Sequence, residues 1–324
     1  MTDKGFDATH GGAGAPASTG AAEHEFAGFG NVLVGVDGSP SGRDAIALAA
    51  LLCDPAGRLT LGHVTVGGRG MSLGFNPTEA RAESLRRLDG ERAATGVVAE
   101  LTSCASLAVG RGLHQLVEEH DADLLVVGSA RRGLVGRVFV GDDTRASLNG
   151  ASCAVAVAPH TYAEHATSIT TIGVGYEQTP EGEAALAVAL GLAARHGAAV
   201  RALAVVSPVS GGLGYWAPMA MGTGEAVAAA EAAAKERLAS LGGVEGRVAS
   251  GVPGEELAAF GGEVDLLVVG SRGYGPVRRL MLGSTSQHLA HSGRCPLLVL
   301  PRPAAVLSAD DHERKEASAA PVAW

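Results

Sequence analysis

The sequence predicts an α/β protein made of two tandem, doubly wound parallel-sheet domains of the Rossmann-like type. Three observations lead to this prediction. The chain has 324 residues, which exceeds the usual size of one domain. Its two halves repeat each other. Several apolar segments, such as LLVVG and LLVLP, are continuous rather than alternating, which is typical of strands buried on both faces of a parallel sheet.

The repeat is visible in two pairs of segments. The letters VLVGVDGSPSGRDA begin at Val32, and IGVGYEQTPEGEA begins 140 residues later at Ile172. DLLVVGS begins at Asp123 and again, 142 residues later, at Asp265. The nearly constant spacing indicates a duplication of one domain.

Both copies present the same order of elements. An apolar run that ends in a turn predicts the first strand, and the Ala-rich segment after a proline predicts the first helix. A second strand and a second helix follow, then two more strands with their helices, and a last strand. The segments predicted in the two copies are Val32–Val36 and Ile172–Tyr176 for the first strand, Leu59–Val66 and Ala198–Val206 for the second, and Glu79–Leu88 and Glu225–Leu241 for the second helix. This order predicts ligand binding beyond the carboxyl ends of the strands, where the strand order reverses.

We expect two ordered domains between two disordered tails. Residues 1–30 are rich in Gly, Ala, Thr and His and have too few large apolar groups to offset the entropy of ordering. Residues 303–324 mix small residues with a charged cluster and receive the same interpretation. The predicted domains are residues 31–160 and 168–302.

Composition excludes several classes of protein. A net charge of −9 leaves no basic surface for a nucleic-acid backbone. The longest uncharged segment, Ala202–Gly224, is interrupted by prolines and glycines, unlike a membrane span. The four cysteines are far apart and form no CxxC pair, which argues against a disulfide framework and for a cytoplasmic protein.

A glycine-rich turn follows a predicted strand of the second copy. It reads Gly270-Ser271-Arg272-Gly273-Tyr274-Gly275, and Gly283-Ser284-Thr285-Ser286 then opens a helix. Glycines let a backbone approach a phosphate closely, and the N–H groups of a helix N-terminus favour an anion. A tight connection with Ser284 as an ordinary N-cap is the alternative explanation.

The spacing Gly-x2-Gly-x9-Gly-Ser closely resembles the nucleotide-binding signature of the universal stress protein family. VDGSP after the first strand and CPLLVL in the last strand agree with it. The resemblance covers Asn31–Pro159 and Thr170–Pro301 and implies an adenine nucleotide alpha hydrolase-like fold. It also implies ATP as the cofactor, with Mg2+ as a candidate bridge between the phosphates.

The same resemblance implies which residues of the second copy hold the nucleotide. The phosphates and ribose would contact the glycine-rich segments, namely Gly270, Ser271, Arg272, Gly273, Tyr274, Gly275, Gly283, Ser284, Thr285 and Ser286. Val205 would line the adenine pocket. Glu177, with Gly175 before it, stands where the family usually carries an acidic residue, and an exchange of Asp for Glu moves that carboxylate by one methylene.

The first copy keeps Gly35 and Asp37 in the equivalent turn but departs from the signature in its phosphate loop. Arg131 and Asp142 stand in place of a glycine and the helix-opening serine. A carboxylate there would satisfy the helix N–H groups and repel a polyphosphate, so we expect a weak or empty site. The alternative is that Arg131 and Arg132 attract an anion from another side.

Two other chemistries receive little support. The chain has three lysines, and none lies in a glycine loop, which excludes a Walker-type site. His288, His291 and Cys295 have a spacing that could place metal ligands on one side of a helix, but a structural role is the better explanation. No catalytic residue is assigned.

The sequence leaves three functions open. The first is a regulatory module of the stress response that binds an adenine nucleotide. The second is a slow ATPase or autophosphorylating enzyme with Ser284 or Ser286 as the acceptor, and the third is a scaffold without a ligand. Because last strands commonly join domains in the family, AVAVAP and LLVLP are expected to pair within one chain or between two chains of a homodimer. No nucleic-acid or membrane partner is expected.

Overall fold

The sequence repeat becomes a repeat of strands and helices in the computed structural model. The structure describes residues 26, 28–67, 76–129, 146–147, 149–165, 168–207, 223–271, 280 and 282–301. The first copy consists of β1 (Phe29–Gly35), α1 (Pro40–Leu52), β2 (Cys53–Val66), α2 (Pro77–Thr95), β3 (Glu100–Ser106), α3 (Val109–Glu119), β4 (Leu124–Gly128) and β5 (Ala154–Ala158).

A short helix, α4 (Tyr162–His165), connects the two copies. The second copy consists of β6 (Thr171–Gly175), α5 (Pro180–His196), β7 (Ala199–Val206), α6 (Thr223–Ser240), β8 (Val244–Ser250), α7 (Pro253–Phe260), a 3₁₀ turn (Gly261–Glu263), β9 (Leu266–Gly270), α8 (Ser284–Ser292) and β10 (Leu297–Leu300). The order of elements predicted from the apolar runs is the order observed, except that the fourth helix predicted in the first copy, between β4 and β5, falls mostly outside the described residues.

The first strand begins earlier than expected. We predicted a tail up to residue 30, but β1 starts at Phe29, whose side chain is buried in the core. The backbone N–H of Gly30 donates to the Asp123 carboxylate at 2.8 Å, and that of Asn31 donates to the same carboxylate at 3.0 Å. One buried aromatic ring and a carboxylate 93 residues away thus extend the strand into a glycine-rich segment that has no strand pattern of its own.

All ten described strands form one sheet in the order β3-β2-β1-β4-β5-β10-β9-β6-β7-β8. Within each copy the neighbouring strands are parallel. The strand order reverses between β1 and β4 in the first copy and between β6 and β9 in the second. The doubly wound parallel architecture is confirmed, and it places a crevice at each reversal.

The two copies meet through their last strands. β5 and β10 pair antiparallel, with Val155 opposite Val299, Ala156 opposite Leu298 and Val157 opposite Leu297. Because these strands are equivalent in the repeat, the pairing follows the self-complementary pattern of a two-fold interface inside one chain. Of the two pairings expected for the last strands, the structure contains the one within the chain.

Each face of the sheet carries one hydrophobic cluster, and both clusters contain residues of both copies. On one face, Leu48 of α1 belongs to the same cluster as Leu192 of α5. On the other face, Leu116 of α3 belongs to the same cluster as Leu289 of α8. The copies are therefore joined by a continuous sheet and by shared cores above and below it.

The short helix between the copies is held by a buried carboxylate. Asp44 of α1 is 3% exposed, and its two oxygens accept from the backbone N–H groups of Thr161 at 3.0 Å and Ala163 at 2.8 Å. These are N–H groups at the start of α4, which have no partner within such a short helix. Asp44 thereby attaches the connection to the first copy.

All four cysteines lie within the described ranges and carry free thiols. Burial raises the pKa of Cys153 to about 12 and that of Cys295 to about 12, so both thiols are protonated at neutral pH. No helix in the described part of the chain is long and apolar enough to cross a membrane.

Candidate functional site

The carboxyl ends of three strands of the second copy meet at one edge of the sheet. Gly175, the last residue of β6, lies opposite Leu203 of β7 on one side and Val269 of β9 on the other. Gly270 ends β9 beside Leu300 of β10. This edge contains the reversal of strand order, so the predicted residues Gly175 and Gly270 both border the crevice where ligands of such sheets bind.

The chain turns sharply after β6. The Tyr176 N–H donates to the Leu203 carbonyl at 3.0 Å, which continues the pairing by one residue. The Tyr176 hydroxyl donates to the Glu183 carboxylate at 2.5 Å, and this hydrogen bond raises the pKa of Tyr176 to about 12. Tyr176 is buried against α5, whereas the side chain of the next residue, Glu177, is exposed at the sheet edge.

The turn is fixed against the start of α5. The Glu177 carbonyl accepts from the Thr179 N–H at 2.7 Å, and the Thr179 hydroxyl accepts from the Gly182 N–H at 3.2 Å as the cap of α5. A Cβ at Gly182 would overlap the Glu177 carbonyl oxygen, so only glycine permits this approach. The backbone of the predicted acidic position is thereby held, while its carboxylate remains accessible.

The end of β9 contains a buried hydroxyl without a partner. The Ser271 N–H donates to the Leu300 carbonyl at 2.9 Å, and the residue is 7% exposed. Its Oγ makes no hydrogen bond. A buried polar group without a partner costs about 1–3 kcal/mol, and ligand sites are one place where such groups are retained. This hydroxyl is one that a bound polar ligand could satisfy.

The predicted helix after the glycine-rich segment is present. α8 begins at Ser284, and its N-cap is Gly283, which has no side chain to accept from the first N–H groups. The N-cap is therefore Gly283, whereas the alternative explanation assigned this role to Ser284. The tight connection in that explanation concerns residues that lie mostly outside the described part of the chain. Ser284 is exposed, Thr285 is half-buried and Ser286 is buried. The first turn of α8 offers N–H groups without a side-chain cap together with an exposed hydroxyl.

Val205 was predicted to line the adenine pocket of the second copy. Val205 is half-buried near the end of β7, opposite Ala249 of β8, and packs against the core cluster that contains α7 and α8. It lies on the sheet beside β6, as a lining residue of the crevice requires. Four residues of the glycine-rich segment lie outside the described residues, namely Arg272, Gly273, Tyr274 and Gly275.

The equivalent sheet edge of the first copy has a turn after β1, but different residues surround it. Asp37 is exposed, and its carboxylate accepts from the Ser39 N–H at 2.9 Å, which closes a local turn. Arg87 of α2 lies across this turn: its guanidinium donates to the Asp37 carbonyl at 3.5 Å. Gly35 packs closely, since a Cβ there would lie 3.3 Å from Leu113 and Val127 side-chain atoms.

Two departures from the signature in the first copy, Arg131 and Asp142, lie outside the described residues, as does Arg132. Ser129, equivalent to Ser271, is 1% exposed and has an interaction partner, so at this position the unpaired hydroxyl is found in the second copy and not in the first.

Sequence reasoning missed one charged residue at the edge. Glu181 lies in the first turn of α5 and is 8% exposed. A Cβ at Gly270 would lie 2.7 Å from the Glu181 Cβ, so this residue adjoins the end of β9. The repeat contained the signal, because the first copy has Ser41 at the equivalent position and a glutamate replaces it only in the second copy.

The spacing of His288, His291 and Cys295, considered above as a possible set of metal ligands, does not form a metal site in the described structure. His291 Nδ1 donates to the Gln287 carbonyl at 2.8 Å, and Cys295 is buried in the core. Among the residues that the structure describes, no group of three or more His, Cys, Asp and Glu side chains could hold a metal ion.

Comparison with known proteins gives consistent matches. The sequence profile of the universal stress protein family matches residues 28–159 and again residues 168–301. A universal stress protein of Mycobacterium tuberculosis strain H37Rv is 27% identical over 220 residues, which cover 65% of this chain and 75% of that protein. One of Thermus aquaticus is 34% identical over 145 residues, covering 40% of this chain and 97% of that protein.

A solved structure agrees with the fold. A universal stress protein from Archaeoglobus fulgidus superposes with a TM-score of 0.59 at 18% identity, covering 85% of this chain and 99% of that chain. At this identity the likeness concerns the fold, and it confirms the α/β class predicted from the repeat.

Proposed function

The chain belongs to the universal stress protein family as a tandem member, and from that premise we propose that it binds ATP in its second copy as a regulatory module. The observation that carries the proposal is the edge formed by β6 and β9. There, the buried Ser271 hydroxyl has no partner. The helix that follows in the chain, α8, begins with N–H groups that no side chain caps. Both features suit a phosphate.

In this proposal, each side of the crevice has a role. The Ser271 hydroxyl and the N–H groups and hydroxyls of Ser284 and Thr285 donate to the phosphates. Gly283 lets the backbone approach them, while Gly270 lets β9 approach the start of α5. Val205 contacts the adenine, and the exposed carboxylate of Glu177 accepts from a polar group of the nucleoside. Recognition thus depends on backbone amides and hydroxyls rather than on lysine, which agrees with the chain having three lysines in total.

Mg2+ is proposed as part of the bound nucleotide. The phosphates of ATP carry several negative charges that repel one another. Phosphate oxygens are ligands that Mg2+ prefers, so a cation shared between them would reduce this repulsion. When bound, the cation supplies charge neutralisation, while the orientation of the nucleotide comes from the protein.

The first copy is proposed to bind ATP weakly or not at all. Its sequence places Asp142 where the second copy has Ser284, and a carboxylate there disfavours a polyphosphate. Its role is then structural, as the partner of the second copy across the β5–β10 pairing. We place the protein in the cytoplasm, where four free thiols are the usual state of cysteine.

The test is the amount of adenine nucleotide that the purified full-length protein holds after saturation with Mg-ATP and removal of excess. Released nucleotide is quantified by chromatography after denaturation. We expect about one nucleotide per chain in the wild type, near none in Gly273→Asp, and about one in Arg131→Asp, the matched change in the first copy. Two nucleotides per chain would show that both copies bind, and none in the wild type would leave the scaffold function.

The same preparation separates binding from turnover. The exposed Ser284 hydroxyl is the candidate acceptor for the γ-phosphoryl group, in which case transfer to Oγ would release ADP and leave phosphoserine. We expect ADP release at the rate of the buffer blank in both wild type and Ser284→Ala. Release by the wild type that the variant lacks would make the protein an enzyme.

A further inference from the structure

Residues 274–282 separate Gly273 from Gly283 in the glycine-rich signature, and we call them the spacer. The end of this spacer is attached to the first copy. Two backbone hydrogen bonds join Leu280, in the spacer, to the segment before β5. The Gly150 N–H donates to the Leu280 carbonyl at 2.8 Å, and the Leu280 N–H donates to the Ala151 carbonyl at 2.8 Å. Leu280 and Ala151 are both fully buried and belong to the same core cluster.

A side chain of the first copy makes the third bond. The amide oxygen of Asn149 accepts from the Leu282 N–H at 3.2 Å across 133 residues of sequence. Leu282 directly precedes Gly283, the N-cap of α8. The bond therefore acts one residue away from the helix start that the proposed function assigns to the phosphates.

We infer that the first copy positions the start of α8 in the second copy and that Asn149 is a positioning residue for nucleotide binding. This inference rests on the proposed function. A helix start that is fixed before binding avoids an ordering cost that would otherwise weaken affinity. The bonds at Leu280 and Leu282 hold the chain directly before α8, so the first N–H groups of α8 are already in place when the nucleotide arrives. The tandem arrangement then serves binding even though one copy carries a deviant signature.

The loss of the Asn149 amide should weaken the binding of the phosphates and not that of the adenine. Removal of the Asn149 amide leaves the Leu282 N–H without its acceptor and frees the end of the spacer. Asn149 precedes β5, whereas the adenine side of the crevice lies at β6 and β7, which β10 and β9 separate from β5 in the sheet. Asn149→Ala should therefore weaken the binding of ATP about tenfold and leave the binding of adenosine unchanged.

The experiment uses the full chain and calorimetric titration with Mg-ATP and with adenosine. Asn76→Ala is the matched control, because Asn76 is also an exposed asparagine of the first copy whose oxygen accepts backbone N–H groups, those of Thr78 and Glu79. Its loss destabilises α2 without touching the loop. We expect Asn76→Ala to bind ATP within about twofold of the wild type.

Hydrogen exchange at the Leu280 and Leu282 amides gives a readout that does not depend on the ligand. We expect faster exchange in Asn149→Ala and near wild-type exchange in Asn149→Asp, which keeps an acceptor oxygen. Equal ATP affinity in wild type and Asn149→Ala would overturn the inference, as would an equal loss in Asn76→Ala or an equal loss for adenosine. If the wild type binds no ATP, the proposed function fails, and unchanged exchange in Asn149→Ala then also overturns the positioning role.

Discussion

Individual polar side chains connect parts of this chain that the repeat alone leaves separate. Asp44 is the clearest case, because the second copy has Ala184 at the equivalent position of its first helix. In the first copy this carboxylate accepts from two N–H groups of the connecting helix α4. The difference between the copies therefore reflects the connection, which only the first copy has to hold in this way.

Asp44→Ala should lower the free energy of unfolding by about 1–3 kcal/mol, because two N–H groups at the start of α4 lose their acceptors. Asp44→Asn keeps one acceptor oxygen and should lose less. The measurement is urea unfolding followed by circular dichroism. Asp89→Ala is the control, since Asp89 is an exposed residue of α2 paired with Arg92 by i,i+3 spacing, and it should change stability by about 0.5 kcal/mol or less. Equal losses in Asp44→Ala and Asp89→Ala would contradict this role.

Two glycines within helices differ in the space that a side chain would find there. Gly90 lies within α2, where a Cβ would meet no atom within 4 Å. Gly191 lies within α5, where a Cβ would overlap the Phe26 carbonyl oxygen. The Phe26 backbone thus contacts α5 of the other copy at a place where only glycine leaves room.

The same substitution should therefore have opposite effects in the two helices. Gly90→Ala should raise the free energy of unfolding by about 0.5–1 kcal/mol, because alanine favours the helix and has space. Gly191→Ala should lower it by about 1–3 kcal/mol, because the Phe26 segment must move. Thermal unfolding of both variants beside the wild type decides the matter. A stabilised Gly191→Ala would mean that the segment does not pack on α5 in solution.

At the scale of the whole molecule, the two copies form one structural unit. The ten-stranded sheet passes from one copy to the other through β5 and β10, and each face has a cluster that contains residues of both copies. With β4 and β9 on their other sides, β5 and β10 have no free edge, so the outer edges of the described sheet are β3 and β8.

We expect the full chain to unfold in one cooperative transition, because neither copy keeps its core when the other unfolds. Calorimetry should give a single peak whose calorimetric and van't Hoff enthalpies agree. Ala156→Asp places a charge in the fully buried centre of the β5–β10 pairing and should lower the melting temperature of the whole peak. Two resolved peaks in the wild type would show that the copies are independent domains.

Local patterns were sufficient for most of the elements and for the reversal of strand order at which the candidate site is proposed. Apolar runs such as Leu266–Gly270 have the composition of strands buried on both faces, and Gly283 followed by Ser284 marked a helix start that the structure contains. The alternation of strands and helices was sufficient to predict the crevice at the β6–β9 reversal. These features depend on residues close in the chain, so the pattern of one segment is enough to recognise them.

Tertiary structure alone decided how distant segments meet. The start of β1 at Phe29, the pairing of β5 with β10 inside the chain, and the bond from Asn149 to Leu282 each join residues far apart in sequence. The unpaired hydroxyl of Ser271 likewise depends on everything that surrounds it. Such contacts form because burial and hydrogen bonding are satisfied over the whole molecule at once, and a local pattern carries no record of which distant partner completes them.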